Sequence, residues 1–190
     1  MRYFCQMGEI IKNMNSIDIT VQNYIETIRA PLLTDFFYPL SAVFDVSLST
    51  VLVCLATIVL IYLFCGRYKA FLFSGTISIG VALSTTFKLV FDTVRPVGGL
   101  FVVSGPSFPS YHATIVTIFF ICLMYIFDSH LPKLWRVFFN VFSVLIIFLV
   151  SFSRIYLGVH WFSDVIGGFV LGFVISISAI YIFKSLYGQK

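Results

Sequence analysis

Five long apolar stretches alternate with short polar segments along this chain, over residues 46–65, 70–91, 111–127, 135–155 and 162–186. A helix that crosses a bilayer needs about 20 predominantly apolar residues. The pattern therefore predicts an all-α fold: a polytopic membrane helix bundle of about five transmembrane helices. In the fifth stretch, Gly168 and Gly172 form a small-x-x-x-small pair, which predicts close packing against another helix.

The first 45 residues differ from the rest because apolar and polar positions are mixed there. The apolar positions are Ile17, Ile19, Val21, Ile25 and Ile28, a pattern typical of an amphipathic helix that lies on the membrane surface. Residues 1–23 contain no continuous apolar core of a signal peptide. We expect one membrane-embedded domain over residues 1–190, made of an N-terminal interfacial segment (1–45) and a transmembrane bundle (46–190).

The composition points to a lipid environment. The chain is 59% hydrophobic and only 11% charged, whereas soluble domains carry about 25% charged residues. The net charge of +4 is spread thinly, which argues against nucleic acid as a partner. The four cysteines form no C-x-x-C pair, so we interpret them as small core residues, not as a disulfide framework or a metal site.

Basic residues are distributed unevenly over the two ends of the predicted bundle. One end carries six of them: Arg67, Lys69, Lys133, Arg136, Lys184 and Lys190. The other end carries the acidic N-terminal segment and the loops 92–110 and 156–161. Because cytoplasmic loops collect Lys and Arg, we expect the first end to face the cytoplasm and the second to face outward from a plasma (inner) membrane.

Polar residues that a membrane bundle does not explain collect around the two outward loops. Lys88 ends the second span, and Arg95 follows seven residues later, which places both on one helical face if the helix continues. Two further groups come next: Pro109-Ser110-Tyr111-His112 at the start of the third span, and Ser153-Arg154, His160 and Asp164 around the start of the fifth.

Each of these residues has a structural explanation when it is taken alone. Lys88 could be a snorkelling lysine paired with Asp92, and Ser110 could cap a helix. Asp164 is harder to explain, because a carboxylate inside an apolar span is costly. Together they place three cations, two histidines, a carboxylate and a helix N-terminus on one face of the membrane. Because helix N-termini and arginine bind phosphate oxygens, the set favours phosphate chemistry.

The three motifs Lys88-x6-Arg95-Pro96, Pro109-Ser110-Tyr111-His112 and Ser153-Arg154-x5-His160-x3-Asp164 resemble the signature of the type 2 phosphatidic acid phosphatase family. That family includes vanadium haloperoxidases and glucose-6-phosphatase, and the resemblance covers residues 88–164. One position departs from the family pattern, since Tyr111 stands where the family usually has Gly. A backbone N–H survives that change, while the ring narrows or covers the pocket.

The resemblance implies a role for each motif residue. His160 attacks phosphorus, Asp164 fixes the tautomer of its ring, and His112 protonates the leaving oxygen and then activates water. The phosphate oxygens are bound by the remaining motif residues: Lys88, Arg95, Ser110, Tyr111 and Arg154. The resemblance implies no metal and no other cofactor, because the cations supply the charge that a metal would supply.

The motifs predict an enzyme, a bacterial phosphatase or diphosphatase whose partner is a phosphorylated membrane lipid. Polyprenyl diphosphate, lipid A, phosphatidylglycerol phosphate and phosphatidic acid all fit. A lipid-to-lipid phosphotransferase would use the same intermediate and stays open, as does the oligomeric state. A non-catalytic lipid transporter or scaffold is disfavoured, because transport requires no nucleophile–orienter pair such as His160 and Asp164.

Overall fold

The computed structural model describes residues 16–45 and 48–187. That part of the chain forms seven α-helices: α1 (Ser16–Thr27), α2 (Pro31–Ala42), α3 (Leu48–Cys65), α4 (Arg67–Phe91), α5 (Tyr111–Phe127), α6 (Lys133–Tyr156) and α7 (Phe162–Tyr187). Helix α5 is largely buried and packs against α4, α6 and α7. Helix α3 packs against α4 at the side of this group.

The predicted membrane bundle is confirmed as an all-helical membrane fold. Within the described residues, α4, α6 and α7 are long and apolar enough to cross a membrane, and Thr50–Cys65 and Tyr111–Phe127 are shorter apolar helices. The count of five spans therefore stays a prediction. The helix ends lie within three residues of the predicted ones, except that the predicted start of the first span, at residues 46 and 47, lies outside the described residues.

The outer surface of the bundle is apolar. On α6, one face exposes Phe138, Val141, Leu145 and Phe148, each at half or more of its surface. These side chains recur at helical spacing, so they form one continuous apolar stripe along the helix. Soluble monomeric proteins rarely expose so much contiguous apolar surface to water. The chain is an integral membrane protein, and lipid covers this stripe.

Residues 16–45 of the N-terminal segment, the part that the structure describes, form two helices, whereas the sequence predicted one. Helix α1 coincides with the predicted amphipathic helix, and α2 follows it directly. Pro31 stands at the start of α2, where its missing N–H costs no hydrogen bond. Pro39 lies inside α2, and a proline inside an apolar stretch normally argues against a helix. Both helices pack on the bundle, α1 on α6 and α7 and α2 on α6.

Three local backbone features position the polar loops at one end of the bundle. Helix α4 stops at Phe91 because Asp92 is left-handed, with φ of 39°, and donates its N–H to Lys88 O at 3.1 Å. Helix α5 begins at Ser110, whose hydroxyl accepts from Ala113 N at 3.5 Å. Gly158 turns the chain after α6 with φ of +70°, a conformation that other residues rarely adopt.

Helices α5 and α7 approach each other most closely along a stripe of small residues on α7. A Cβ atom at Gly168 would lie 2.5 Å from Ser110 O, and one at Gly172 would lie 2.6 Å from Thr114 O. Any side chain there would push the two helices apart. Asp164 stands one further turn along the same face of α7. The glycine pair therefore packs helices together, as predicted.

Candidate active site

Two loops meet at one end of the bundle, which we call the site end. Loop 92–110 joins α4 to α5, and loop 157–161 joins α6 to α7. The Trp161 indole N–H donates to Val94 O at 2.7 Å and ties the two loops together. Two helix starts join them there, those of α5 and α7. This arrangement brings the residues of all three motifs into one cluster.

His160 lies at the centre of the cluster and is only 2% exposed. Its Nε2 lies 3.1 Å from Arg95 Nη1, and its Nδ1 lies 3.3 Å from Asp164 Oδ2. A guanidinium can only donate, so Nε2 must be the acceptor and carry the lone pair. The proton then belongs on Nδ1, directed at Asp164. In this tautomer Nε2 carries the lone pair of the ring and accepts from Arg95.

Asp164 is held by groups other than His160. Its Oδ2 accepts from the Trp161 backbone N–H at 2.8 Å and from the Ser107 hydroxyl. Its own backbone carbonyl accepts from Ser110 N at 2.9 Å, which joins the first turn of α7 to the start of α5. The carboxylate is buried at 2% exposure, and these hydrogen bonds supply the partners that a buried charge requires.

Ser107 is a site residue that the sequence analysis missed. Its hydroxyl is completely buried, donates to Asp164 and lies 3.4 Å from His160 Nδ1. It precedes Pro109 by two residues, so its nearness to a recognised motif was the available signal. A loop serine has no periodic pattern, and nothing in its spacing indicated that it reaches a carboxylate 57 residues later.

Lys88 binds the loop backbone through its ammonium group. Its Nζ donates to Pro106 O at 2.8 Å and to Ser107 O at 3.1 Å. The alternative pairing with Asp92 is not formed. Lys88 therefore holds the chain that carries the Ser107 hydroxyl and adds a positive charge beside it.

Arg95 lies in loop 92–110 and not on an extension of α4. The expectation that it shares a helical face with Lys88 depended on a continuing helix, and α4 instead ends at Phe91, the predicted end of the second span. Arg95 instead reaches the site through three carbonyl oxygens, those of Gly105 (3.0 Å), Pro106 (3.1 Å) and Val159 (2.7 Å). Through these hydrogen bonds the guanidinium bridges loops 92–110 and 157–161, and it also contacts His160.

The surroundings of His160 keep its ring neutral. Burial is the main cause that lowers the pKa of His160 well below its ordinary value, and the positive charges of Arg95, Arg154, Lys88 and His112 lower it further. Burial also lowers the pKa of Arg95, against the opposing effect of Asp164. A neutral imidazole retains its lone pair, which is the form that a nucleophile needs.

His112 occupies the other side of the cluster, in the first turn of α5, and is 4% exposed. Its Nε2 lies 3.2 Å from Asp45 Oδ1, within ion-pair distance. The geometry of a hydrogen bond is not met at this nitrogen. Asp45 precedes the predicted first span and was not among the predicted site residues. As the last acid before an apolar stretch, it resembled an ordinary boundary residue.

Arg154 is buried at the end of α6, with 2% of its surface exposed. One Nη donates to Ser41 Oγ on α2, and the guanidinium lies 5.7 Å from the Phe101 ring centre. Its Nε has no hydrogen-bond partner among the described residues. Its backbone oxygen accepts from His160 N at 3.3 Å. A buried cation with an unused donor beside a nucleophile is a group suited to hold an anion.

Ser110 and Tyr111 open helix α5. The Ser110 side chain is fully buried and acts as the N-cap, so its structural explanation is observed. Its hydroxyl proton remains available, because capping uses only an oxygen lone pair. Tyr111 is the first helical residue, and its N–H belongs to the first turn, whose amides lack partners within the helix. Both positions can therefore donate to an anion at this helix end.

The N-terminal helices support the site from outside. Asp18 on α1 accepts from Ser163 N at 2.8 Å and from Ser163 Oγ at 2.7 Å, at the start of α7. Arg29 donates to Tyr156 O at 3.1 Å and to Gly98 O at 2.8 Å. These long-range contacts, which the sequence analysis did not anticipate, hold both loops against the bundle.

Metal-binding side chains do not cluster in the described part of the chain. No group of three or more His, Cys, Asp or Glu residues there is arranged to hold a metal ion. The cations of the site are side chains, and each lies near His160 or its loop. Independence from metal stays a prediction.

The similarity to a known family extends beyond the three motifs at residues 88–164. The family model of the PAP2 superfamily matches residues 44–187. The chain belongs to the PAP2 superfamily. This assignment confirms the resemblance to type 2 phosphatidic acid phosphatases that the three motifs indicated.

Individual relatives agree with the family assignment. Phosphatidylglycerophosphatase B of Bacillus subtilis (strain 168) is 36% identical over 96 residues, which are 49% of this chain and 47% of that protein. The match therefore spans about half the length of this curated relative. The crystal structure of a transmembrane PAP2 type phosphatidylglycerolphosphate phosphatase from Bacillus subtilis superposes with a TM-score of 0.81, at 24% identity, over 91% of this chain and 89% of that one.

A second solved structure has the same fold. The crystal structure of Aquifex aeolicus LpxE superposes with a TM-score of 0.73, at 24% identity, over 88% of this chain and 96% of that chain. At this level of identity the two structural matches establish the fold. The helical arrangement around the site is thus that of membrane PAP2 proteins.

Proposed function

We propose that this PAP2 protein is a phosphatase of membrane lipid phosphates or diphosphates that works through a phosphohistidine on His160. The observation that carries the proposal is the orientation of the His160 ring. Its Nδ1 faces Asp164, while its Nε2 accepts from Arg95. The reactive nitrogen therefore lies against a guanidinium that can bind the oxygens of a phosphate.

The charge of the site favours an anionic substrate. Three cations, Lys88, Arg95 and Arg154, surround one buried carboxylate, Asp164, whose hydrogen bonds are already used. Asp45 adds a second carboxylate, but half of its side chain is exposed. The three cations exceed the two carboxylates by one positive charge, which favours an anion in the site. A bound phosphate would supply the missing negative charge.

The first chemical step forms the phosphohistidine. His160 Nε2 attacks phosphorus, a P–N bond forms, and the bond from phosphorus to the leaving oxygen breaks. His112 gives its proton to that oxygen, which leaves as the lipid alcohol or the lipid monophosphate. Asp164 stabilises the ring as it gains charge, and Lys88, Arg95, Arg154 and the amides at the start of α5 neutralise the phosphoryl oxygens.

The second step restores the enzyme. His112, now neutral, takes a proton from a water molecule as the water oxygen attacks phosphorus. The P–N bond breaks, inorganic phosphate leaves, and His160 regains its lone pair. Asp45 lies near the imidazole of His112, where a carboxylate can stabilise the protonated ring that exists before the first step and again after the second. The cations already supply the charge that a metal would add, so we expect turnover without metal.

The substrate is expected to be a lipid because the site lies where α4, α5 and α7 end at the membrane boundary. A headgroup phosphate could reach His160 while its acyl or prenyl chains stay in the bilayer. The relatives named for phosphatidylglycerophosphate support a lipid phosphate.

Phosphate release from purified protein in detergent tests this function. The panel contains polyprenyl diphosphate, lipid A, phosphatidylglycerol phosphate and phosphatidic acid, with excess EDTA in every reaction. Release that persists with EDTA and is blocked by vanadate agrees with the proposal, because vanadate adopts the five-coordinate geometry of phosphoryl transfer. Recovery only after metal is added would contradict it, and turnover that depends on a second lipid would identify a phosphotransferase.

We further propose that the site faces the extracytoplasmic side of a bacterial inner membrane. The opposite end carries Arg67, Lys69, Lys133 and Arg136, in agreement with the positive-inside rule. Single cysteines at Val102, which is 99% exposed at the site end, and at Ser129 at the opposite end test this. In a background without native cysteines, an impermeant thiol reagent on intact cells should label only the first. The reverse pattern would overturn the orientation.

A further inference from the structure

A cavity with polar side chains in its lining lies at the end of the bundle opposite the candidate site. We call this end the far end. The cavity has a volume of about 460 Å³, and its polar lining consists of Lys69, Tyr125, Asp128, Ser129, Asn140 and Lys184. Lys69 lies in the first turn of α4 and Lys88 in its last turn. The 19 residues of helix between them correspond to about 28 Å. The cavity is therefore a separate site, one bilayer thickness away from His160.

Two ammonium groups face this cavity with unused donors. Lys69 Nζ donates to Ile126 O at 3.3 Å and to Ser129 Oγ at 3.4 Å, so one of its three N–H groups is left. Lys184 Nζ lies 5.3 Å from the Tyr125 ring centre and makes no hydrogen bond to the described residues. These two cations can therefore receive the oxygens of one anionic group.

The remaining charges leave the cavity positive. Its carboxylate, Asp128, is paired with Arg136 at 3.4 Å. The two lysines are thus not neutralised by their neighbours. A positive cavity between helices at a membrane boundary suits an anionic headgroup.

Asn140 adds the requirement for a hydrogen-bond donor, which an anion that has only acceptor oxygens does not meet. Its side-chain oxygen is buried and has no partner in the described part of the chain. An unsatisfied buried acceptor requires a donor. A ligand that serves both the lysines and Asn140 carries an anionic group and, close to it, a hydrogen-bond donor; a phosphate beside a hydroxyl group is one such pair.

The neighbouring surface indicates that such a ligand is a lipid. Tyr68 and Tyr187 lie beside the far-end lysines in the sequence, are partly exposed, and pack with ring centres 4.7 Å apart. Exposed tyrosines of this kind mark the headgroup level of a membrane. The cavity is therefore at the depth of headgroups.

We propose that the far-end cavity binds the headgroup of an anionic phospholipid that carries a hydroxyl, with its phosphate on Lys69 and Lys184 and its hydroxyl on Asn140. The lipid belongs to the leaflet opposite the catalytic site and is not the substrate. Binding anchors α4, α6 and α7 to one headgroup through Lys69, Asn140 and Lys184. The proposal does not depend on the catalytic function of the site end.

Thermal unfolding of the full chain in an uncharged detergent tests this. The test variant is Lys69→Gln with Lys184→Gln, and its matched control is Arg67→Gln with Lys133→Gln, which removes the same charge at the same end. Phosphatidylglycerol should raise the unfolding temperature of the wild type and the control, because a ligand that binds only the folded state stabilises it. The test variant should lose more than half of that shift, and phosphatidylcholine should give little shift in any of them.

Three outcomes would overturn the proposal. Equal loss of the shift in the control would mean general surface attraction. An equal shift with glycerol 3-phosphate would assign the cavity to a soluble phosphate ester. An undiminished shift in the test variant would mean that phosphatidylglycerol acts elsewhere, including at the site end, which both variants retain.

Discussion

The two sides of the candidate site are held in different ways. On the His160 side, Asp164, Ser107 and Arg95 connect the ring to both loops through a continuous set of hydrogen bonds. On the His112 side, His112 Nε2 faces the half-exposed carboxylate of Asp45, and Arg154 Nε is buried without a hydrogen bond to the described residues. We infer that His160, the proposed nucleophile, is preorganised by its hydrogen bonds. The His112 side would complete its contacts only when substrate binds.

The largest effect is expected from His160→Ala, which removes the centre of the connected side. A nucleophile has no substitute, so phosphate release should fall roughly 10⁶-fold, as for comparable nucleophiles. His130→Ala, in the far-end loop, is the matched control and should retain activity. Gel filtration and thermal unfolding establish that both variants fold. Near-normal turnover of His160→Ala would refute the assigned nucleophile, whereas labelled phosphate trapped on the wild-type histidine would support it.

Asp164→Asn tests whether the fixed tautomer matters. The amide can donate a hydrogen bond to Nδ1 and so favour the tautomer that carries its proton on Nε2, with an expected loss of about 10⁴-fold in kcat. Asp18→Asn is the control, since this carboxylate also binds the start of α7 through Ser163 but does not touch His160. A similar loss in both variants would show that only the helix start is being disturbed.

Ser107→Ala should have a smaller effect that still separates the two sides. One hydrogen bond to a charged group is worth about 1.5–3 kcal/mol, which corresponds to about 10- to 100-fold in rate. The loss should appear in kcat, because the hydroxyl contacts Asp164 and not the substrate. Ser143→Ala removes a hydroxyl that bonds only to Phe139 O in its own helix, and it should be neutral. An unchanged kcat in Ser107→Ala would remove this residue from the mechanism.

The smallest effect is a displacement of the pH profile. Because the pKa of His160 is lowered well below its ordinary value, the ring stays neutral and active as the pH falls below 6.5. Lys88 is one of the positive charges that lower this pKa, so Lys88→Met should raise it and move the acid limb of kcat/KM to higher pH. Lys69→Met on the same helix should leave the limb in place. A limb that stays or moves to lower pH would contradict the electrostatic explanation.

The parts of the fold that could be predicted are those with a repeating or costly signal. Apolar stretches of membrane length located the bundle, and helix α5 occupies the residues predicted for it. His160, His112 and Asp164 could be predicted because polar side chains at the edge of an apolar span need a reason to be there. Helix α2 could not, because its two prolines concealed a helix that is stabilised by packing on α6.

The supporting residues of the site could not be predicted for a different reason. Ser107 and Arg29 act through contacts across 57 and 127 residues of chain, and their own neighbourhoods in the sequence contain no pattern. The condition under which Arg95 would share a helical face with Lys88 is not met, because α4 ends at one left-handed residue, Asp92. Such contacts exist only after the loops have met, so a single sequence carries no local record of them.

The glycine stripe of α7 has a consequence for the reaction itself. Asp164, Gly168 and Gly172 follow one another along the same face, and the two glycines lie against backbone oxygens of α5. In the proposed mechanism, α5 carries the acid–base histidine, His112, and α7 carries the carboxylate that orients the nucleophile, Asp164. The width of the gap between His112 and His160, where the phosphorus atom would bind, is therefore set by Gly168 and Gly172, which have no functional group. Enlarging either one would act as a spacer, widening the gap while every reacting residue remained in the chain.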